Sequence, residues 1–253
     1  MNMDKNNIHV FFTINNAYSG YLGTCITSIL INCDKNYFLN FYIIDGGINK
    51  LNKKRIESLK NIRDFKIEFI KVDKRKFINM PNSSQSHISN DTNYRFLVSS
   101  LKLYLDKCIF LDADLIVTGD ISELWRVDVK DYYFAAVEDE APKFPNSWIK
   151  NLPLPYDFKY VNTGVVVINL KKWRENSIEE KLFLNADKYS DKLMFPDQDI
   201  LNITLYNSIR YLHHIYNAMP IQRYYDKNQR NEAFANPKVV HWAGSGKPWS
   251  HPH

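Results

Sequence analysis

Residues 108–114 read Cys-Ile-Phe-Leu-Asp-Ala-Asp, and the abrupt change from apolar to acidic side chains in this stretch decides the fold. Its first part, Cys108–Leu111, has four apolar residues in succession, which is typical of a short strand covered on both faces. Asp112 and Asp114 follow directly, so both carboxylates lie at the end of that strand, where open α/β sheets bind their ligands. The stretch therefore predicts a buried strand of an α/β sheet that ends in a ligand site.

On both sides of this stretch the chain alternates apolar runs with helical patterns, as expected for a sheet that lies between helices. The longest run, Val161–Leu170, is apolar at almost every position and predicts a central strand. No internal repeat and no linker rich in Gly or Pro divides the sequence, so residues 1–253 are predicted to form a single domain.

The predicted strands are Ile8–Ile14, Phe38–Asp45, Lys66–Val72, Cys108–Leu111, Tyr132–Val137, Val161–Leu170, Ile209–Leu212 and Lys238–His241. Helices are predicted through Ile26, Ile29 and Leu30, near Asn49–Lys60, near Ile178–Tyr189 and near Asp197–Tyr206. A further helix is predicted after Asp91 or Thr92, with Phe96, Leu97, Leu101 and Leu103 facing inward.

The composition is that of a globular protein with a sizeable core, because 45% of the 253 residues are hydrophobic and 24% are charged. The net charge of +5 arises from a basic excess in Lys50–Lys76. We interpret this segment as a solvated helix face with flanking loops. The alternative is attraction to anionic substrates or to a phospholipid surface. Nucleic acid is not an expected partner, because no exposed aromatic residues are interleaved with the charge.

The three cysteines, Cys25, Cys33 and Cys108, have no metal-type spacing and are expected to be reduced, buried thiols of a cytosolic protein. The sequence has no apolar run of 18 residues, and its start lacks the pattern of a signal peptide. A cytoplasmic protein is therefore predicted, with peripheral contact at the inner face of the membrane as the alternative. The sequence predicts nothing about the oligomeric state.

Two short acidic side chains at the end of a strand suit a hard cation such as Mn²⁺ or Mg²⁺. An Asp-x-Asp pair also occurs in ordinary solvated turns, so the position after the strand is what favours a metal site. His241, at the end of a predicted strand, is a candidate third ligand, which Mn²⁺ accepts more readily than Mg²⁺ does. After it, Gly244 and Lys247 suit close approach to a phosphate. The alternative is a packed histidine before a Gly-rich terminus.

Two other polar groups stand out. Asp197, Gln198 and Asp199 begin a predicted helix after Pro196, and capping accounts for one carboxylate but not for three polar residues. Asn162 begins the most apolar strand, so its amide must find hydrogen-bond partners in the backbone or in a substrate.

In this order, the motifs resemble family 8 of the retaining glycosyltransferases. That family includes bacterial lipopolysaccharide galactosyl- and glucosyltransferases and, more distantly, glycogenin. The resemblance runs from Val10 to Trp249, and its most specific stretches are Phe110–Val117, Asn162–Trp173, Asp197–Asn202 and His241–Trp249. It implies a GT-A type fold, which is a Rossmann-like, mostly parallel sheet flanked by helices around one composite site. It also implies a UDP-sugar donor and a Mn²⁺ ion, with Mg²⁺ as the alternative.

The resemblance assigns roles to individual residues. Asp112, Asp114 and His241 match the family's metal ligands. The residues assigned to the nucleotide sugar are Thr13, Asn15 and Tyr18 for the uridine, with Tyr18 stacking on the base, and Arg95, Ala113, Gly244 and Lys247 for the rest of the donor. The residues assigned to the transferred sugar are Asp139, Asn162, Asp197 and Gln198, with Gln198 on the face opposite the leaving diphosphate. The stretch Asn217–Pro220 resembles the acceptor-side loop.

The chain departs from the family pattern in two places. Asn15 and Asn16 stand where relatives commonly have acidic residues, so contacts with uracil are expected to differ or to use amide groups. Only four residues follow Trp249, where lipopolysaccharide-synthesising relatives often continue into a basic, aromatic tail that attaches to the membrane. The expectation is either a domain that lacks this tail or a trimmed chain.

The resemblance implies transfer of galactose or glucose from UDP-galactose or UDP-glucose to a glycan or lipid-linked acceptor, in lipopolysaccharide or surface glycan synthesis. One alternative is a glycogenin-like self-glycosylating protein, and another is a nucleotide-sugar binding module without catalysis. A phosphotransfer enzyme is disfavoured, because Thr13–Tyr18 has no Gly-rich phosphate loop after the first strand.

Overall fold

A computed structural model describes residues 6–81, 90–140, 147–219, 226–244 and 246–250. It has a seven-stranded sheet with helices on both faces and a separate two-stranded ribbon. The predicted α/β class is therefore confirmed.

The strands are β1 (Asn7–Ile14), β2 (Phe38–Asp45), β3 (Lys66–Ile70), β4 (Lys107–Leu111), β5 (Leu115–Val117), β6 (Phe134–Glu138), β7 (Val161–Asn169), β8 (Ile209–Leu212) and β9 (Val239–His241). The helices are α1 (Ser19–Asn32), α2 (Lys50–Glu57), α3 (Val98–Leu101), α4 (Ser122–Trp125), α5 (Leu170–Glu175), α6 (Ile178–Lys188), α7 (Pro196–Leu205) and α8 (Lys227–Ala235). Short 3₁₀ turns lie at Asn16–Tyr18, Ser58–Asn61, Lys74–Phe77, Asn90–Leu97, Trp148–Asn151 and His214–Asn217.

The main sheet is mostly parallel, with the strand order β3-β2-β1-β4-β7-β6-β8. Only β7 runs antiparallel to its neighbours, β4 and β6, and the other four pairings are parallel. As predicted, β7 is an interior strand with neighbours on both sides. Because it runs in the opposite direction, its first residues lie at the edge of the sheet where β1, β2 and β4 end. This reversal brings residues from the start of one strand to a site built from the ends of others.

Two apolar cores, one on each face, hold the sheet between its helices. Val10 and Phe12 of β1 pack on one face with α1 and α4, whereas Phe11 packs on the opposite face with α5, α6 and α7. Each fully buried Leu, Ile or Phe side chain contributes about 1.5–3 kcal/mol. The helical residues that cover the sheet include Leu22, Ile26, Ile29, Leu182, Ala186 and Ile200, which are all completely buried.

The segment before β4 differs from its predicted form. Residues Asn90–Leu97 form a 3₁₀ turn and α3 is a single helical turn, where one longer helix was predicted. The chain leaves helical geometry at Lys102, so Leu103 is 69% exposed and the prediction that it faces inward is wrong. Leu105, which follows that bend, takes the buried position instead.

All three cysteines are buried and free, as expected. Among the described residues, no helix is both long and apolar enough to cross a membrane.

Candidate active site

The two aspartates and His241 come together because three elements meet at one edge of the sheet. Asp112 follows β4, and its backbone N–H donates to the carbonyl oxygen of Gly164 in β7 at 2.8 Å. Asp114 precedes β5, whose antiparallel pairing with β9 sets Leu115 opposite His241. As a result, His241 Nε2 lies 3.4 Å from Asp114 Oδ1 and 3.8 Å from Asp112 Oδ2.

The remaining carboxylate oxygens of this triad are held by two cationic side chains. Arg95 Nη2 donates to Asp112 Oδ1 at 2.7 Å, and Lys247 Nζ contacts Asp114 Oδ2. Burial acts to raise the pKa of Asp114, but His241 and Lys247 hold that pKa well below its usual range, so the carboxylate is ionised. Asp112 Oδ2, Asp114 Oδ1 and His241 Nε2 are thus left facing one another.

This donor set fits the predicted metal. One ligand atom from each of Asp112, Asp114 and His241 lies within 4.8 Å of the others, and two carboxylates with one imidazole suit a divalent cation such as Mn²⁺. The side chain of Asp112 is 31% exposed, so the cation would have an open side for ligands that the protein does not supply. The three metal-ligand assignments remain predictions.

Gly164 supplies the space that the imidazole occupies. A Cβ at this position would lie 2.3 Å from His241 Cε1 and 2.8 Å from Asp112 Oδ2. Contacts this short are far inside van der Waals distance, so any side chain here would displace a predicted ligand. The glycine of the Asn162-Thr-Gly164 motif is therefore required for the triad to form.

A chain of buried amides lies behind His241. Asn162 Oδ1 accepts hydrogen bonds from Gly164 N–H and from Asn217 Nδ2, both at 2.9 Å. Asn217 Oδ1 lies 2.8 Å from His241 Nδ1. Asn217 was predicted only as part of an acceptor-side loop, and Pro220 of that loop lies outside the described residues. Asn162 was expected to find partners in the backbone or in a substrate, and it has one in the backbone.

Arg95 connects the metal triad to the residues assigned to the sugar. Its guanidinium is buried, with Nη1 donating to the carbonyl and hydroxyl oxygens of Thr163, both at 3.0 Å. Nε lies 3.1 Å from Asp197 Oδ2, while Nη2 bonds Asp112. Burial raises the pKa of Asp197, and Arg95 opposes that shift. The contact of Arg95 with the donor remains a prediction, and within the protein Arg95 holds the side chains of Asp112 and Asp197 at the site.

Gln198 and Asp139 lie on the same side of the site. Gln198 Oε1 accepts a hydrogen bond from Thr163 N–H at 3.1 Å, and its Nε2 donates to Asp139 Oδ2 at 3.5 Å. The backbone N–H of Asp139 donates to the carbonyl oxygen of Tyr160 at 2.8 Å. Both the oxygen and the NH₂ group of the Gln198 amide are therefore hydrogen-bonded. The roles of Gln198 and Asp139 toward the sugar remain predictions.

Asp199 has a structural task that accounts for the surplus polar residue at the start of α7. Its Oδ1 accepts from Trp148 Nε1 at 2.9 Å and from the Tyr160 hydroxyl at 2.5 Å. Its Oδ2 accepts from the backbone N–H groups of Met194 and Phe195 at 2.8 and 2.9 Å. Asp197 and Gln198 face the site, whereas this carboxylate fastens the helix start to its neighbours.

The residues assigned to the uridine lie at the end of β1 and just beyond it, with Thr13 in the strand and Asn15 and Tyr18 after it. Thr13 Oγ1 donates to the carbonyl oxygen of Asp91 at 2.9 Å, and Asn15 Oδ1 accepts from Ala17 N–H at 3.0 Å, which caps the following 3₁₀ turn. Burial and the negative charges of Asp114 and Asp112 raise the pKa of the half-buried Tyr18. The stacking of Tyr18 on a base remains a prediction.

The segment after β9 packs back against the start of α1 and the triad. Trp249 stacks on Tyr21, with ring centroids 3.9 Å apart, and Lys247 Nζ donates to the carbonyl oxygen of Trp242 at 2.6 Å. Gly244 has a φ of +83°, a conformation that favours glycine, so the turn before Lys247 depends on it. Ala113, between the two aspartates, is buried.

Two features of the site were not predicted from the sequence. One is the ribbon of β5 and β9 that carries His241 to Asp114, and the other is the contact of Asn217 with the imidazole. Asn217 lies between Tyr216 and Ala218 in a stretch of mixed polar and apolar residues without periodicity, so no sequence signal marks its partner. Its complete burial is visible only in the folded chain.

Comparisons with known proteins identify relatives over nearly the whole chain. A sequence profile described as Glycosyl transferase family 8 matches residues 9–252. General stress protein A of Bacillus subtilis (strain 168) is 33% identical over 255 residues, covering 96% of this chain and 87% of that protein. Lipopolysaccharide 1,2-glucosyltransferase of Escherichia coli (strain K12) is 27% identical over 249 residues, covering 96% and 72% respectively. Among solved structures, galactosyltransferase LgtC in complex with donor and acceptor sugar analogues matches with a TM-score of 0.83 at 27% identity, covering 96% of this chain and 89% of that one.

Proposed function

This chain belongs to glycosyl transferase family 8, and we propose that it moves a hexosyl group from a UDP-sugar to an acceptor hydroxyl with retention of configuration. Its fold is of the GT-A type, and family membership makes it a glycosyl transfer enzyme. The donor, the metal and the stereochemistry are the proposed part. Relatives that are named glucosyltransferase and galactosyltransferase support UDP-glucose and UDP-galactose as the donors to test first.

The observation that carries the proposal is the convergence of Asp112, Asp114 and His241 beside the ammonium group of Lys247. When bound, a divalent cation such as Mn²⁺ supplies Lewis-acid stabilisation of the negative charge that grows on a leaving diphosphate. Lys247 adds a positive charge on the same side of the site. The left-handed backbone at Gly244 lets the chain pass close to a phosphate without a Cβ in the way.

Retention is proposed to proceed by attack from the face of the leaving group. The family resemblance assigns Gln198 to the position at which a nucleophile would be needed for a covalent intermediate, but an amide is a poor nucleophile. The two hydrogen bonds of its amide, with Thr163 and Asp139, favour a role in holding the site together. The leaving phosphate oxygen would then accept the proton of the acceptor hydroxyl.

The acceptor is proposed to be a glycan or a lipid-linked sugar in lipopolysaccharide or surface glycan synthesis, as for the lipopolysaccharide glucosyltransferase relative. The chain would reach such an acceptor from the cytoplasmic side, with peripheral contact to the membrane. Segments proposed to exclude water are Gly244–Trp249 and Asp73–Asn90, in which position 245 and positions 82–89 lie outside the described residues.

The proposal is tested by screening UDP-sugars for hydrolysis with Mn²⁺ and without an acceptor. We expect turnover of UDP-galactose or UDP-glucose that disappears with a chelator. Asp114→Ala should lower kcat about 10²-fold or more, because it removes a metal ligand and a partner of Lys247. Gln198→Ala should keep most of the turnover. The matched control is Asp128→Ala, an exposed carboxylate outside the site, which should leave kcat unchanged.

Absence of both UDP binding and turnover of every UDP-sugar would refute the proposal, and a Gln198→Ala protein that still binds UDP and Mn²⁺ but has lost all turnover would favour the covalent scheme. Growth of the intact mass on incubation with UDP-glucose alone would identify a self-glycosylating protein instead. UDP-sugar binding without any transfer or hydrolysis would identify a binding module.

A further inference from the structure

We propose that Asn217 is a positioning residue that keeps a proton on His241 Nδ1, and that Asn162 sets the orientation of Asn217. The imidazole then presents only Nε2 to the two aspartates. The role of this nitrogen as a metal ligand rests on the function proposed above, whereas the position of the proton follows from the hydrogen bonds of the protein alone.

The first step starts from a backbone donor whose identity is fixed. The amide nitrogen of Gly164 always carries a hydrogen, and it lies 2.9 Å from the side chain of Asn162. A donor must meet an acceptor, so the atom of Asn162 at this contact is its carbonyl oxygen and not its NH₂ group. The backbone therefore determines which way the Asn162 amide points.

The second step passes this orientation to Asn217. Asn162 Oδ1 also lies 2.9 Å from the Asn217 side chain, so that contact requires the NH₂ group of Asn217. The carbonyl oxygen of Asn217 must then point the other way, toward His241 Nδ1 at 2.8 Å. An oxygen without hydrogens can only accept, so Nδ1 carries a proton, and in the neutral form of the ring Nε2 is therefore the nitrogen without hydrogen.

Burial makes the opposite arrangement unfavourable. Asn217 is 0% exposed, His241 2% and Asn162 6%, so water has little access to groups that lose their partners. A reversed Asn217 amide would set its oxygen against Asn162 Oδ1, whose own orientation is fixed by Gly164 N–H. Two acceptors would then face each other whichever nitrogen of His241 carries the proton, and no solvent would relieve that contact.

The backbone fixes Asn217 beside the strand that carries His241. Ala218 N–H donates to the carbonyl oxygen of Val239 at 2.8 Å, and His241 N–H donates to the carbonyl oxygen of Ala218 at 2.9 Å. These two backbone hydrogen bonds fix the distance between Asn217 and His241. Asn162 belongs to β7, the strand whose Gly164 bonds the backbone of Asp112, and its hydrogen bond with Asn217 joins this pair to β7.

The consequence concerns the competition for Nε2. Without an acceptor at Nδ1, the nearby oxygen of Asp114, 3.4 Å from Nε2, would favour a proton on Nε2, and that proton would block the nitrogen from a cation. With Asn217 in place, Nδ1 keeps its proton whether Nε2 is bare, protonated or metal-bound. Partners of this kind commonly change metal affinity 10- to 100-fold when they are removed from other sites.

The test uses Asn217→Leu, which has a similar size but neither donor nor acceptor, and Asn217→Asp, which keeps an acceptor toward Nδ1. Nuclear magnetic resonance of the ¹⁵N-labelled imidazole, in the full chain without metal or nucleotide, reports which nitrogen of the neutral ring carries hydrogen. We expect Nδ1–H in the natural protein and in Asn217→Asp, and a shift toward Nε2–H in Asn217→Leu.

Binding of Mn²⁺ alone, measured from the electron paramagnetic resonance of the free ion, should weaken about 10- to 100-fold in Asn217→Leu and only a few-fold in Asn217→Asp. Asn162→Ala should shift the tautomer in the same direction as Asn217→Leu, because it frees Asn217 to rotate. The matched control is Asn202→Ala. Asn202 is an equally buried asparagine that bonds the backbone of Val161 and does not touch His241, so the tautomer should not change.

The proposal is overturned if Asn217→Leu keeps Nδ1–H and the natural Mn²⁺ affinity, or if Asn202→Ala shifts the tautomer as much as the Asn217 variant. If Asn217→Leu does not fold, Asn162→Ala and Asn217→Asp carry the same test, and an unchanged tautomer in Asn162→Ala overturns the role of Asn162. An Asn217-dependent tautomer in a protein that turns over no UDP-sugar would refute the proposed function and leave this proposal standing.

Discussion

Gly164 is the residue at which one added carbon atom would most directly displace the predicted metal ligands. The absent side chain is what allows His241 Cε1 and Asp112 Oδ2 to approach the strand, at 2.3 and 2.8 Å from where a Cβ would stand. From the sequence, this glycine is one apolar-strand residue among several, and nothing in the local pattern shows that an imidazole from residue 241 needs the space.

We predict that Gly164→Ala weakens Mn²⁺ binding about tenfold or more, because His241 must move from its position opposite the aspartates. Overpacking at this buried position should also lower the free energy of unfolding by about 1–3 kcal/mol. The measurements are Mn²⁺ titration and urea unfolding.

The matched control for that substitution is Gly23→Ala in α1, where a Cβ would meet no atom within 4 Å. Alanine in a helix interior should raise the free energy of unfolding by about 0.5–1 kcal/mol and leave Mn²⁺ affinity unchanged. Unaltered metal affinity in Gly164→Ala would contradict the packing argument.

At the scale of single residues, the sequence shows which side chains could bind a metal better than it shows which side chains they contact. Asp112 and Asp114 stand out because two carboxylates follow an apolar strand, and His241 because it ends another. The cations that hold the aspartates, Arg95 and Lys247, were assigned to the donor through the family resemblance. Their contacts with Asp112 and Asp114 depend on distances across the fold, which no local pattern contains.

At the scale of elements, the sequence predicts best those elements that end in a clear change of residue type. Phe38–Asp45 has the predicted bounds, because a largely apolar run ends at Asp45 before Gly46 and Gly47, and Ile209–Leu212 also has the predicted bounds. β5 has three residues and α3 has four, too few to show a period of two or 3.6, so neither was predicted as an element of its own. The ribbon of β5 and β9 is nevertheless what brings His241 to the site.

The position of the first turn of α7 depends on the carboxylate of Asp199. We predict that Asp199→Asn lowers the free energy of unfolding by about 2–3 kcal/mol although it preserves the shape of the side chain. An amide has one acceptor oxygen, so it cannot accept from Trp148 and Tyr160 on one side and from the N–H groups of Met194 and Phe195 on the other.

Urea denaturation, monitored by circular dichroism, measures this decrease in the free energy of unfolding. The control is Asp187→Asn on the exposed surface of α6. The control should change the free energy of unfolding by less than about 0.5 kcal/mol. An Asp199→Asn protein as stable as the natural one would show that the four hydrogen bonds do not hold the helix start.

At the scale of the whole molecule, the antiparallel direction of β7 decides where the site can form. The family resemblance implied one composite site, but the sequence did not specify the direction of each strand. Because β7 runs against its neighbours, Asn162 and Gly164 lie beside the residues that follow β4. The assigned residues extend from Thr13 to Lys247, so only the complete sheet brings them together.

Because the site needs the complete sheet, we predict that the chain unfolds as a single unit and that ligand binding stabilises all of it. Mn²⁺ with UDP at about 100 times the dissociation constant should stabilise the folded state by about 2.7 kcal/mol. For a chain of this size, that corresponds to a rise in Tm of about 5–10 °C. Because the residues assigned to the nucleotide and the metal extend from Thr13 to Lys247, differential scanning calorimetry should show one transition that shifts as a whole. Asp114→Asn should unfold in the same single transition without the shift, whereas two transitions of which only one responds to the ligand would show separate folding units.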